Sequence, residues 1–188
     1  MFKLDEMTII DNFLDEKEAN HLESFITGNG LQWRMGESLD YDCPRHEILM
    51  PSLYDRHLVY FIYSKYYKYD KTVKQRENDF RLISPFLKKL GINSKNMLTI
   101  KINSNFCKEG IYRAGWHIDP IEEDVGKGLT AIYYVNTNNG KTLFKNGNEV
   151  ECVKNRMVVF PNTWDHTPQY QTDTPVRSVI NFNWLTDP

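Results

Sequence analysis

Hydrophobic and polar positions follow two different periods along this chain. In the N-terminal half they recur every three to four residues. Ala19, Leu22, Phe25 and Ile26 share one helical face. Asp15 stands before them as an N-cap with Glu18 three residues on, the capping-box arrangement, and Gly28 and Gly30 end the stretch. A short strand over 8–10 precedes this helix, and 32–35 reads as a strand entering a polar loop that runs through Pro44. Leu58, Phe61, Ile62 and Lys65 repeat at helical spacing and predict an amphipathic helix over 53–67. Another helix is predicted over 72–83. Ser84-Pro85 then reads as an N-cap with proline in the first turn of a further helix, which Gly91 ends.

Beyond Ile92 the period becomes two. Strands are predicted over 98–104, 116–119, 129–136, 141–145, 150–153, 156–160 and 176–184. Asn146-Gly147 is a strong hairpin signal and Asn139-Gly140 marks a second turn. Short strands joined by tight turns predict a sandwich or barrel. The expected layout is one α+β, mainly β domain over 1–188, with a helical support region (1–96) packed on a β core (97–186).

Composition narrows the class. At 188 residues, 40% hydrophobic and 26% charged, the chain suits a soluble globular protein with a substantial core. A net charge of −2 supplies no general field for nucleic acid. Cys43, Cys107 and Cys152 are odd in number and far apart, which argues against a disulfide framework or zinc ribbon and for a reducing compartment. No apolar run approaches the ~18 residues of a membrane helix. The opening residues lack a signal-peptide pattern, so a cytoplasmic location is expected.

The chemistry concentrates in the β half. On a strand, residues i and i+2 share a face, so His117 and Asp119 set an imidazole beside a carboxylate. The spacing alone is weak: with 5 His and 25 acidic residues, chance supplies about one such pair, and His21-Leu22-Glu23 is another. That second pair lies in the capped helix, where i and i+2 diverge. His166 follows the apolar strand Met157–Phe160 and offers a third ligand. Two histidines and one carboxylate form the facial set of non-haem iron sites, which leaves positions open for small molecules. Arg177 falls on the final strand on one face with Val179 and Asn181. An inward arginine needs an anionic partner; its strand has none, so a bound carboxylate fits.

With these residues in place the chain resembles the 2-oxoglutarate- and Fe(II)-dependent oxygenases, in their prolyl-4-hydroxylase-like branch. The resemblance rests on His117-Ile118-Asp119, the distal His166 and the basic Arg177. It is supported by the strand from Leu129 to Asn136 leading to Gly140-Lys141-Thr142-Leu143-Phe144, and by the opening Ile10-Asp11-Asn12-Phe13-Leu14. It covers 97–185 well and 8–30 loosely, and departs where Asn139-Gly140 replaces the family's paired glycines. It implies a double-stranded β-helix, or jelly roll, with Fe(II) held by His117, Asp119 and His166. It further implies 2-oxoglutarate as cosubstrate, with Arg177 on its distal carboxylate, and O₂ as oxidant. Tyr134 is implied as a cosubstrate contact and Thr142 as a further candidate. The implied reaction hydroxylates an organic substrate while 2-oxoglutarate is decarboxylated to succinate and CO₂.

Two other classes compete. A metal-dependent hydrolase could use the same ligands, but would have no need of Arg177 and shows no obvious glutamate base. A non-catalytic jelly-roll binding module would make His117 purely structural. For the oxygenase reading, a peptide or protein substrate with a target prolyl residue is favoured, with a small molecule as the alternative. Nucleic acid is disfavoured: the superfamily's demethylases carry a second arginine, and none follows Arg177. The Tyr- and Lys-rich stretch 60–76 mixes aromatics with basic charge, a composition that can bind single strands. It reads instead as a helix with buried Tyr edges and a solvated Lys face.

Overall fold

The computed structural model describes residues 2–28, 30–37, 56–66, 68–119 and 122–186. The expected loop through Pro44 lies outside them. In chain order the elements are β1 (Thr8–Ile10), α1 (Glu16–Thr27), β2 (Arg34–Glu37), β3 (Arg56–Ser64) and α2 (Val73–Leu90). There follow β4 (Met97–Phe106), a 3₁₀ turn (Glu122–Asp124), β5 (Gly128–Tyr134), β6 (Lys141–Phe144), β7 (Glu149–Glu151), β8 (Arg156–Pro161), β9 (His166–Gln169) and β10 (Val176–Leu185). A seven-stranded sheet in the order β1-β8-β5-β10-β4-β3-β2 faces a three-stranded one, β7-β6-β9. Every pairing is antiparallel, giving a jelly roll, the double-stranded β-helix.

Both helices pack on the outer face of the large sheet. The Asp15 side chain accepts from Glu18 N at 2.8 Å and starts α1, which buries Ala19, Leu22 and Ile26. Thr72 and Gln75 close a reciprocal capping box at α2, and Gly91, at φ 70°, ends it in the left-handed conformation. Between helices and sheet, Phe86 meets Phe13, Tyr133 and Phe182 at ring separations of 5.8, 4.8 and 5.2 Å. Each such buried ring contributes about 2–3 kcal/mol. A second apolar cluster, with Ile132, Phe144, Val158 and Phe160, fills the space between the two sheets.

Three local expectations are corrected. Arg56–Ser64 is a strand, not part of a helix, and lies between β2 and β4. Apolar groups on both of its faces erase the two-residue period and mimic a helical one. Val73–Leu90 is a single helix with Pro85 inside it, so no new helix begins at Ser84. Pro85 cannot donate to the Arg81 carbonyl, and the Ser84 hydroxyl donates there instead at 3.3 Å. Finally, 116–119 is not a regular strand: it touches the minor sheet through one bridge, His117 to His166.

The 60–76 stretch is not one helix: it is strand to Ser64 and helix only from Val73, and packing engages Tyr60 and Lys71 within it. Tyr60 donates to the buried Asp79 at 2.8 Å, and Lys71 pairs with the same carboxylate and reaches the Phe61 and Ile62 carbonyls. No helix among the described residues is long and apolar enough to cross a membrane.

Candidate active site

Alternation along β10 divides its side chains between two environments. Ile180, Phe182 and Trp184 join the core under the helices, while Arg177, Val179 and Asn181 line a cavity inside the barrel. On β4, Ile100 and Ile102 join that core, and Lys101, Asn103 and Asn105 line the cavity. The register sets Arg177 opposite Asn105, Val179 opposite Asn103 and Asn181 opposite Lys101. The cavity measures about 250 Å³.

At its wall His117, Asp119 and His166 bring one ligand atom each within 4.8 Å of one another. The backbones of His117 and His166 exchange hydrogen bonds of 3.1 and 3.0 Å, which sets the two rings 4.6 Å apart. The orientation of both rings is fixed from behind. His117 Nδ1 lies 3.1 Å from the Gly115 carbonyl and His166 Nδ1 lies 3.1 Å from that of Trp164. A carbonyl only accepts, so Nδ1 carries a proton in each ring, which leaves Nε2 as the atom turned toward the cavity to ligate. Burial, with His166 and Lys101 adjacent, holds His117 down to about 4 and therefore neutral, the form that binds metals.

Burial opposes ionisation of Asp119, but Lys101 and the neighbouring histidines hold it well below the usual carboxylate range. Lys101 donates to its Oδ1 at 2.8 Å. The other oxygen, Oδ2, lies 3.6 Å from His166 Nε2, and neither atom has a hydrogen-bond partner. A buried carboxylate oxygen and a buried imidazole nitrogen thus face each other with no hydrogen bond between them. A cation satisfies that arrangement, and one imidazole pair with one carboxylate suits Fe(II).

Across the cavity Arg177 is 2% exposed, and no carboxylate pairs with it among the described residues. Its Nη2 donates to Thr142 Oγ1 at 3.0 Å, while Nε has no partner. Tyr134 also donates to Thr142 Oγ1, at 2.7 Å. With two bonds received, the Thr142 hydroxyl has its own proton free to donate. Thr142 lines the cavity, whereas the fully buried Tyr134 stands behind it. Gly140 admits Arg177: a Cβ there would lie 3.0 Å from the Arg177 Cδ and 2.9 Å from the Gln169 carbonyl.

The structure therefore gathers His117, Asp119, His166, Arg177 and Thr142 about one cavity. The ligand pattern did not single out Lys101, Asn103, Asn105 or Asn181. Their signal was present: β4 carries polar residues at alternate positions between Leu98, Ile100 and Ile102.

No family model and no curated protein matches the chain. Among solved structures it resembles a 2OG-Fe(II) family oxidoreductase from Burkholderia pseudomallei, at 10% identity and TM-score 0.59, covering 95% of this chain and 84% of that one. It resembles the non-heme alpha-ketoglutarate-dependent epimerase SnoN from nogalamycin biosynthesis at 10% identity and TM-score 0.60, covering 97% and 78%. It also resembles a Trichoplax adhaerens prolyl hydroxylase, solved with a peptide fragment of the hypoxia inducible factor oxygen degradation domain. There identity is 16% and TM-score 0.54, covering 95% and 83%. What all three share with this chain is the double-stranded β-helix.

Proposed function

We propose that this protein is an Fe(II)- and 2-oxoglutarate-dependent oxygenase that hydroxylates a peptidyl residue, with proline the favoured target. The observation that carries this reading is the pairing of two unmet demands across one cavity. Unpartnered atoms of His166 and Asp119 stand on one side, and on the other a buried Arg177 that has no carboxylate partner among the described residues.

In this reading His117, Asp119 and His166 hold the metal through His117 Nε2, Asp119 Oδ2 and His166 Nε2. Fe(II) bound there supplies O₂ activation coupled to decarboxylation of 2-oxoglutarate to succinate and CO₂. Arg177 neutralises the distal carboxylate of the dicarboxylic acid through a charge-assisted fork, in a site dry enough for that pairing to be strong. Thr142 donates its remaining proton to the same carboxylate, and Tyr134 holds Thr142 in place from behind. Ile132 and Val179 give the same cavity apolar wall, against which the methylene carbons of such an acid would lie. Support for a peptidyl substrate comes from the peptide-bound neighbour and from Asn103, Asn105 and Asn181. Their amides can both donate to and accept from a peptide backbone.

The test is succinate production from 2-oxoglutarate by the purified protein with and without Fe(II), then with prolyl peptides, small molecules and oligonucleotides added. Iron-dependent succinate that rises with peptide is expected. His117→Ala and Asp119→Ala should lower it by at least about a thousandfold, since a missing ligand removes the metal's own chemistry. Full activity in either variant refutes the metal assignment, and stimulation by oligonucleotides alone refutes the peptidyl one.

A further inference from the structure

Among the described residues that line the cavity, Lys101 is the one charged side chain to which the proposed chemistry gives no task. It sits mid-strand on β4, with Phe61 of β3 on one side and Asn181 of β10 on the other. Its ammonium crosses to Asp119 and donates to Oδ1 at 2.8 Å. The Asp119 side chain is 1% exposed and that of Lys101 is 22% exposed, so the pair lies at the cavity wall. Oδ2 is left without a partner and faces His166 Nε2.

A fixed positive charge beside a site for a dication repels that ion, so the placement works against metal affinity. Its benefit lies in orientation. A free carboxylate can grip an ion with both oxygens, and Lys101 leaves Asp119 only one to offer. An ion held facially by three single-atom ligands keeps positions open for a cosubstrate and O₂, and a second Asp119 oxygen would take one of them. We propose that Lys101 is a positioning residue that restricts Asp119 to one-oxygen ligation and so preserves an open coordination position. The inference rests on reading His117, Asp119 and His166 as a divalent-metal site.

The experiment adds Mn(II) to the metal-free full chain and to its Lys101→Met and Lys101→Arg variants. Water-proton relaxation reports the exchangeable waters on the bound ion, and calorimetry reports its affinity. Lys101→Arg keeps a donor on Oδ1 and is expected to match the parent. Lys101→Met is expected to lose one exchangeable water and to bind Mn(II) about tenfold more tightly, because repulsion falls and a second oxygen joins. Its 2-oxoglutarate turnover in the presence of Fe(II) is expected to drop by about ten- to a hundredfold. Affinity and turnover thus move in opposite directions, which a lysine that merely supports the fold does not produce. Unchanged hydration of the ion in a folded Lys101→Met protein overturns the proposal, whatever its affinity. Circular dichroism monitors folding, and Lys101→Ala carries the same comparison if the methionine variant does not fold. Failure of the parent chain to bind Mn(II) overturns the metal reading itself, and the role of Lys101 falls with it.

Discussion

Replacing Arg177 with methionine should strengthen the empty protein while disabling it. In the structure the guanidinium is 2% exposed and has no carboxylate partner among the described residues. Its compensation is a 3.0 Å bond to the Thr142 hydroxyl and a position 5.6 Å from the Tyr134 ring centroid. Those contacts contribute about 1.5–3 kcal/mol and 0.5–2 kcal/mol respectively. Against them stands the desolvation of a cation, still several kcal/mol after relaxation. Methionine fills much of the same volume without that cost. The ligand-free variant is therefore expected to be between neutral and about 2 kcal/mol more stable than the parent. For a chain of this size that means a Tm rise of up to about 6 °C. Binding of 2-oxoglutarate loses its charge partner, a change worth about 2–5 kcal/mol, or roughly 30- to 4,000-fold in affinity at 1.4 kcal/mol per decade. Differential scanning calorimetry of the metal-free proteins reads the first quantity, and the 2-oxoglutarate dependence of succinate formation reads the second. A Tm lowered by several degrees would show that Arg177 serves the fold, and an unchanged cosubstrate requirement would remove it from the pocket.

Three further outcomes follow from the geometry of the cavity. Thr142→Val should raise the 2-oxoglutarate KM by about tenfold, the value of one hydrogen bond to a charged group. Tyr134→Phe should have a smaller effect, because its hydroxyl supports Thr142 from behind; the reverse order would place Tyr134 against the ligand. The metal-free protein should also weaken in mild acid. The His117 imidazole is held to about 4 in the fold, so between pH 6.5 and 4 the unfolded chain takes up a proton that the native state refuses. Stability is then full above pH 6.5 and falls by about 2 kcal/mol by pH 5. Urea midpoints at pH 7 and pH 5 measure this, and a His117→Gln protein should lose much of the dependence. An equal pH response in that variant would refute the assignment to His117.

The β half was legible because its strands alternate and its turns are marked. Asn146-Gly147 does turn β6 into β7, with Gly147 at φ 92°. Order and spacing named His117, Asp119 and His166 as candidate ligands and the structure brings them together, although the reason they meet is not the one the spacing implies. His117 reaches the site through a single bridge to His166, so tertiary pairing rather than strand periodicity aims it. β9 escaped notice because Pro168 interrupts its short run; as an edge strand it tolerates the missing donor. β3 was obscured by being apolar on both faces. Lys101 was hidden for a different reason: a strand lysine reads as solvent-facing until its neighbours show that the other face is the core.

The division of β4 and β10 between two environments also bears on how such a protein can change. Ile100, Ile102, Ile180 and Phe182 hold the helices, while Lys101, Asn103, Asn105 and Asn181 face the cavity. Neighbouring codons thus answer to separate constraints. Successive substitutions at the cavity positions can retune what the barrel accepts while the layer beneath the helices stays intact, so new specificities are reachable by single steps through folded intermediates.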